Sequence, residues 1–167
     1  MSTPDFIVAL RAHVGTTPLW LAGATACIFH ETASGTRWLL ARRADSGQWA
    51  PITGIVDPGE HPADTAVREA AEEAGVVVEV ERLIWVDVTD PVVYDNGDVS
   101  QYINHTFRCR FRAGTPYPRD GENLEVALFA EDALPQMAPH HAAALSVAIA
   151  NAPESGLGPL PGLRTAS

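Results

Sequence analysis

The chain has 167 residues, which is most simply one domain large enough to bury a substantial core. Hydrophobic residues make up 46% and charged residues 19%, proportions that are ordinary for a soluble globular protein. The formal net charge of −10 argues against a nucleic-acid polymer or an anionic membrane as the main partner. A small phosphate substrate stays open, because a bound cation can reverse the field locally.

The sequence also predicts the compartment and the state of the thiols. No apolar stretch approaches the roughly 20 residues of a transmembrane helix, and the N-terminal residues lack a basic region followed by a long apolar run. We therefore expect a cytoplasmic location. Cys27 and Cys109 lie in apolar, strand-like runs without a histidine at zinc-ligand spacing, which predicts buried free thiols rather than a disulfide.

The first third of the chain predicts two strands and a loop. Residues 5–13 are typical of a short amphipathic helix or strand. Residues 22–30 (AGATACIFH) predict a buried strand, and a turn rich in serine and glycine leads to a second strand over residues 38–41, which forms a hairpin with the first. Residues 49–51 form a brief extended segment that enters the next loop.

A helix is predicted after the turn at residues 57–59. Glu60 or His61 lies near its N-cap, Pro62 suits the first helical position, and Gly75 suits a left-handed C-cap. At about 100° per residue the small apolar side chains form one stripe, which lets the helix pack very closely. The stripe consists of Ala63, Ala66, Val67, Ala70 and Ala74.

The remaining chain predicts further strands and a last helix. Strands are expected over residues 76–88, 101–113 and 123–130, a short connection over 131–137 and a helix over 140–150. The segment DPVVYDNGD (90–98) lacks the spacing of an EF-hand loop and predicts a hairpin or an Asx turn. We expect one α/β domain with a mixed sheet over residues 1–151 and a Pro/Gly-containing tail over 152–167 that is flexible in isolation.

Three acids crowd the other face of the central helix. Glu69, Glu72 and Glu73 repel one another, and the last two stand at the negative end of the helix dipole. One interpretation is a solvated face with an Arg68–Glu72 ion pair. The other is a site for Mg²⁺ or Mn²⁺, ions that favour such oxygen ligands.

These residues carry a resemblance to the Nudix hydrolase family. The Nudix box, G-x5-E-x7-R-E-U-x-E-E-x-G-U, is reproduced without a gap by Gly54, Glu60, Arg68, Glu69, Glu72, Glu73 and Gly75. Ala70 fills the first aliphatic position, and Ile52-Thr53-Gly54 replaces the usual Pro-Gly-Gly. The resemblance implies an α/β/α sandwich over roughly residues 22–150. It also implies Mg²⁺-dependent hydrolysis of a nucleoside diphosphate joined to another group, and a possible homodimer, since related proteins are often dimers.

The resemblance also implies roles for the box residues. Glu69, Glu72 and Glu73, with Gly54, would hold the metal, and Glu72 would accept a proton from the attacking water. Arg68 would orient Glu60 or Glu72, and Glu60 and Gly75 would be structural. Outside the box, Glu122 is the candidate general base, with a solvated loop carboxylate as the alternative.

The substrate is less well determined by the sequence. Four aromatic residues could stack on a nucleobase or belong to the core: Trp49, Tyr94, Tyr102 and Phe107. Three arginines could bind phosphate or remain solvated: Arg42, Arg43 and Arg108. We select Arg43, Trp49 and Tyr94 as the substrate-binding candidates. In the family, a proline placed like Pro91 accompanies ADP-ribose hydrolysis, and a tyrosine placed like Tyr94 accompanies dinucleoside polyphosphate hydrolysis. We favour ADP-ribose-like substrates, with a nucleoside triphosphate pyrophosphatase that removes oxidised nucleotides, a dinucleoside polyphosphate hydrolase and a non-catalytic nucleotide sensor as alternatives.

Overall fold

The computed structural model describes residues 3–94, 96–119 and 121–163. The helices are α1 (Asp5–Val14), α2 (Pro62–Ala74) and α3 (Pro139–Ala150), with a 3-10 turn at Glu131–Ala133. The strands are β1 (Leu19–Thr32), β2 (Gly35–Arg43), β3 (Trp49–Ala50), β4 (Ile52–Ile55), β5 (Val76–Val88), β6 (Val92–Val93), β7 (Val99–Gly114), β8 (Asn123–Ala130) and β9 (Gly156–Leu157).

Within these ranges the strands form one mixed sheet. Its main path is β3-β2-β1-β7-β5-β9, while β4 pairs with β1, β6 with β7 and β8 with β2. The long central strands β1 and β7 are parallel, whereas β2 and β4 run antiparallel to β1, and β5 runs antiparallel to β7. The predicted mixed sheet and the β1–β2 hairpin are therefore confirmed.

One helix covers each face of the sheet. Alternate side chains of β1 point to opposite faces, so Ala26 and Ile28 pack in a cluster with α2, whereas Cys27 and Phe29 pack in a cluster with α3. Cys27 and Cys109 are buried free thiols, as predicted, and they belong to these two different clusters. The two apolar clusters on opposite faces confirm the α/β/α sandwich.

Helix α2 begins and ends where the sequence predicts. Pro62 is its first residue after an extended N-cap at His61, and Gly75 ends it at φ 67° and ψ 25° with its N–H bonded to the carbonyl of Ala70. Ala66, Ala70 and Ala74 are all almost fully buried. The small stripe therefore places the backbone of α2 directly against the sheet.

Three parts of the fold differ from the expectation or refine it. Residues 5–13 are helical, as α1. The sequence predicts an extended segment only over residues 49–51 and a loop after it, whereas residues 52–55 form strand β4, which pairs along β1; its four residues are too few to show a period. The tail is packed in its described part: β9 pairs with β5, and Leu160 is 3% exposed in the α3 cluster.

The loop before β7 is a hairpin with an Asx turn in its described part. Strand β6 pairs with β7, and the N–H of Asp98 donates to Oδ1 of Asn96 at 3.0 Å. Asp95 lies outside the described residues, as do residues 164–167 of the predicted tail. Among the helices that the structure describes, none combines the length and the apolar character that crossing a bilayer requires.

Candidate functional site

The guanidinium of Arg68 binds three carboxylates of the helix and its leading turn. Its Nε and Nη2 donate to the two oxygens of Glu60 at 2.9 and 3.0 Å. Its Nη1 donates to Glu69 at 2.8 Å and to Glu72 at 3.1 Å. Nη2 also reaches the carbonyl of Ile55 at 3.2 Å, so that Arg68 ties α2 to β4.

Glu60 is held as an ionised anchor at the start of α2. Besides the bonds from Arg68, its Oε2 accepts hydrogen bonds from the Thr65 hydroxyl at 2.6 Å and from the N–H of Asp57 at 3.2 Å. The Arg68 hydrogen bonds, more than offsetting burial, lower the pKa of Glu60 to about 2. The hydrogen bonds of Glu60 thus join the turn before α2 to Thr65 and Arg68 of the helix.

Glu73 is buried, although the sequence places it with the solvent-facing acids. Its side chain lies under β8, whose Asn123 donates to Oε2 at 2.9 Å, while Oε1 is buried without a hydrogen-bond partner among the described residues. Burial, together with the charges of Glu69 and Glu122, raises the pKa of Glu73 to about 8. A buried carboxylate oxygen that accepts no hydrogen bond destabilises the folded state unless a ligand supplies the missing partner.

Glu69 lies against the backbone of Gly54. A Cβ at Gly54 would lie 2.1 Å from Oε1 of Glu69, so only glycine leaves room for the carboxylate there. Burial raises the pKa of Glu69 to about 7, with Glu72 and Glu122 adding to the rise and Arg68 opposing it. Around neutral pH Glu73 is therefore largely protonated and Glu69 is divided between its two forms, unless a cation compensates them.

A distant segment stabilises the crowded C-terminal end of α2. The backbone N–H groups of Tyr117 and Arg119 donate to the carbonyls of Ala74 and Glu73 at 3.1 and 3.2 Å. The Arg119 guanidinium donates to the carbonyl of Ala71 at 3.1 Å. These donors satisfy terminal carbonyls and bring positive charge to the negative end of the helix dipole, which no residue within α2 supplies.

Glu122 and Arg43 lie within electrostatic reach of the acids. Glu122 directly precedes β8, its carbonyl accepts from the N–H of Ala44 at 2.8 Å, and its charge raises the pKa of both Glu69 and Glu73. Arg43 is paired with Asp45, Nη2 to Oδ2 2.7 Å, and its charge lowers the pKa of Glu73. The fold thus places Glu122, which is distant in the sequence, near the acids of α2.

The donor set suits a divalent cation, although its side chains are not gathered around one point. Among the described residues, no group of three His, Cys, Asp or Glu side chains is arranged to hold a metal ion. Glu69 and Glu72 instead turn toward Arg68. The partnerless oxygen of Glu73 and the mutual repulsion of the acids nevertheless fit a hard cation that takes carboxylate oxygens.

A cavity of about 1270 Å³ opens beside this acidic cluster. Its floor is the α3 face of β1, β5 and β7, and α1, the start of α3 and the packed tail enclose it. Gly54 and Arg43 belong to its lining, so the cavity borders the acids at β4. Trp49 and Tyr94 line it as well; the Trp49 ring packs edge-on against Phe129 with centroids 4.8 Å apart.

Three of the four other candidate binding residues lie outside the cavity. Phe107 is in the core beneath α2. The Arg108 guanidinium lies 3.6 Å from the ring centroid of Phe29 and binds the carbonyl of Ala148, so it is a core residue. Arg42 faces Glu125 at 3.6 Å on β8. Tyr102 lines the cavity, where its hydroxyl lies 2.6 Å from that of Tyr94.

Four polar residues of the cavity were not singled out from the sequence. Asp87 and Asn104 lie on its floor, and His140 and His141 stand at its edge with ring centroids 3.8 Å apart. Burial, helped by the charges of His140 and Arg43, lowers the pKa of His141 to about 3, so this imidazole is neutral. The one feature of the sequence that indicates Asp87 as a site residue is the presence of an acid within the apolar run LIWVDV.

Fold and site together define an α/β sandwich domain that presents a carboxylate-rich helix at the edge of an open mixed sheet. The family model of the NUDIX domain matches residues 21–148, and the chain belongs to the Nudix family. An uncharacterized Nudix hydrolase, orf19, of Rhodococcus erythropolis is 34% identical over 92 residues, which cover 46% of this chain and 49% of that protein. The chain therefore matches about half the length of this curated relative.

Two solved structures show the same fold. One is an ADP-ribose pyrophosphatase from Streptococcus suis, with a TM-score of 0.62 and 21% identity, covering 83% of this chain and 98% of that one. Another is a MutT Nudix hydrolase from Burkholderia pseudomallei, with a TM-score of 0.53 and 25% identity, covering 76% and 96%.

Proposed function

We propose that the protein is a divalent-cation-dependent pyrophosphohydrolase that cleaves the diphosphate of a nucleoside diphosphate joined to another group, with ADP-ribose-like substrates favoured. The observation that carries the proposal is the state of Glu69 and Glu73. Their pKa values are raised to about 7 and about 8, and Oε1 of Glu73 is buried with no hydrogen-bond partner in the part of the chain that the structure describes. Such acids are suited to a cation and to phosphate chemistry beside a cavity.

In this proposal Glu69, Glu72 and Glu73, with the Gly54 backbone beside them, hold Mg²⁺ or Mn²⁺. When bound, the cation neutralises charge that develops on the phosphate oxygens and makes water a stronger nucleophile. Arg68, anchored by Glu60, positions Glu69 and Glu72. Gly75 ends the helix so that these side chains stay at the edge of the sheet.

The proton of the attacking water goes to a carboxylate of this chain. Glu72 is our candidate acceptor, since its side chain is more exposed than those of Glu69 and Glu73. Glu122 is the second candidate, because its charge acts on both buried acids. Exchange of each for glutamine separates them: loss of kcat with retained binding identifies the acceptor.

The cavity supports a substrate larger than a mononucleotide. Its volume of about 1270 Å³ exceeds the roughly 300–1,000 Å³ of common ligand pockets. Arg43 contributes positive charge for phosphate, and Trp49 and Tyr94 offer rings for a base. Pro91, whose position the family resemblance associates with ADP-ribose hydrolysis, also lines the cavity.

Two alternative enzymes stay in the proposal. The family resemblance also allows a nucleoside triphosphate pyrophosphatase, and Tyr94 on the cavity wall favours dinucleoside polyphosphates. A substrate screen with Mg²⁺ and with Mn²⁺ separates the three. Release of AMP and a sugar phosphate supports our proposal, release of pyrophosphate supports the first alternative, and cleavage of dinucleoside polyphosphates alone supports the second.

The screen also tests a non-catalytic sensor. If wild type and Glu72→Gln bind nucleotide equally and neither turns over any substrate, the protein is a sensor and our proposal fails. Four further points stay predictions: the catalytic domain at residues 1–151, the tail at 152–167, the homodimer and the cytoplasmic location. Sedimentation at several concentrations tests the dimer.

A further inference from the structure

One oxygen of a buried carboxylate on the cavity floor has no hydrogen-bond partner in the described part of the chain. Asp87 of β5 is 7% exposed and lines the cavity, and its Oδ1 has no hydrogen-bond partner among the described residues. Burial raises the pKa of this carboxyl group, partly offset by a hydrogen bond from Asn104. Because an unpaired buried carboxylate oxygen destabilises the fold, its presence at a cavity indicates a ligand that donates to it.

Asp87 lies at the far end of a row that crosses the sheet from the acidic cluster. Ile55 of β4 pairs with Gly23, Gly23 with Asn104, and Asn104 with Asp87. Three strand spacings place Asp87 roughly 14 Å from Ile55, the neighbour of Gly54. This span is comparable to an extended nucleoside with its phosphates.

The row between these ends is well fixed. Gly23 has no side chain, and Oδ1 of Asn104 and the Tyr102 ring lie 3.3 and 3.5 Å from the position that its Cβ would take. Asn104 accepts a hydrogen bond from the Thr25 hydroxyl at 3.2 Å and donates to the Thr106 hydroxyl at 3.2 Å. Its amide is therefore oriented by the protein before any ligand binds.

The packed tail forms the wall next to Asp87. The N–H of Gly158 donates to the carbonyl of Val86 at 3.0 Å, and the indole of Trp85 donates to the carbonyl of Gly158 at 2.7 Å. Leu160 follows in the cavity lining. These contacts hold the tail beside the end of β5, where Gly158 and Leu160 line the cavity together with Asp87.

We propose that Asp87 is a specificity-determining residue whose Oδ1 accepts a hydrogen bond from an N–H or O–H at the end of the substrate remote from the reacting diphosphate. The inference rests on the proposed function. The donor belongs to the nucleobase or to the distal sugar of the substrate, and both present the same chemistry to the carboxylate.

The test is the variant Asp87→Asn, measured with α,β-methylene ADP-ribose and Mg²⁺ by calorimetry. We expect binding weaker by about tenfold or more, the effect of losing one hydrogen bond to a charged acceptor. We expect an unchanged or higher Tm, because the variant removes a desolvated charge. Asp132→Asn, which changes an exposed acid outside the cavity lining, is the matched control and should change affinity less than about twofold.

A second probe, α,β-methylene ADP, distinguishes the sources of the donor. If Asp87→Asn weakens both probes, the donor is on the nucleobase; if it weakens only the ADP-ribose analogue, the donor is on the distal ribose. Unchanged affinity for both overturns the assignment, and so does weaker binding with a clearly lower Tm, which makes Asp87 structural. If wild type and Asp87→Asn hydrolyse ADP-ribose with equal KM, the assignment of Asp87 is overturned and the proposed function stands. If the wild type binds neither probe, the assignment and the proposed function are both overturned.

Discussion

The carboxylate of Glu60 and the guanidinium of Arg68 form a two-point ion pair, with 2.9 Å from Nε to Oε1 and 3.0 Å from Nη2 to Oε2. The pair joins the turn before α2 to the second turn of the helix. The remaining nitrogen of Arg68, Nη1, donates to Glu69 and Glu72. The orientation of these two acids therefore depends on Glu60, which holds Arg68 from a position outside the cavity.

Exchange of Glu60 for glutamine tests this anchor. We expect Glu60→Gln to lower the free energy of unfolding by about 1–3 kcal/mol, because Arg68 loses its strongest partner in a half-buried site. Urea denaturation measures the change. Glu125→Gln is the control: this exposed acid pairs with Arg42 at 3.6 Å and should change stability by less than about 0.5 kcal/mol. Equal effects of the two variants would contradict the anchoring role.

Alanine at position 54 tests the space reserved for Glu69. The added Cβ would lie 2.1 Å from Oε1 of Glu69, so the flexible acid must move away while the fold persists. We expect kcat to fall by about tenfold or more with little change in Tm. In a double-mutant cycle, Gly54→Ala should add little to Glu69→Ala, because both act through one carboxylate. Fully additive losses would show that Gly54 acts independently.

The raised pKa values of Glu69 and Glu73 predict the pH dependence of stability without metal. The native state retains these protons up to about pH 7 and 8, whereas the unfolded chain loses them near its ordinary pKa of 4.5. The contribution of these two acids to the free energy of unfolding therefore falls as the pH rises from about 4.5 to 8. Below the ordinary histidine pKa of 6.5 the lowered pKa of His141 acts in the opposite direction, so the net fall is expected from about pH 6.5 upward. Thermal melts in EDTA at about pH 6 and about pH 8.5 measure this fall, which Glu73→Gln should reduce.

Added Mg²⁺ should raise Tm more at the higher pH, because the acids then bind the cation without releasing protons. A Tm in EDTA that rises across the same range would mean that these acids ionise freely in the folded protein.

Two leucines of the tail test whether it belongs to the folded domain. Leu160 is 3% exposed in the α3 cluster, whereas Leu157 is 80% exposed. We expect Leu160→Ala to destabilise the protein by about 2–4 kcal/mol and Leu157→Ala by less than about 0.5 kcal/mol, measured by urea denaturation. Similar small effects of both would mean that the tail contributes nothing to stability.

Local sequence determined the central helix. Pro62 and Gly75 set its ends through backbone preferences that do not depend on distant residues, and the alanine stripe set the face that packs. The spacing of the box acids then follows from helical geometry alone. These features depend on neighbours within a few residues, so one sequence suffices to predict them.

Tertiary structure decided what the local pattern could not. Glu73 is buried because Asn123, fifty positions along the chain, covers it. Asp87 is a cavity residue because the tail encloses β5, and Arg108 is a core residue because α3 lies over it. Burial and the pKa shifts that follow from it depend on which distant segments pack together, and that information lies in pairwise contacts rather than in any local pattern.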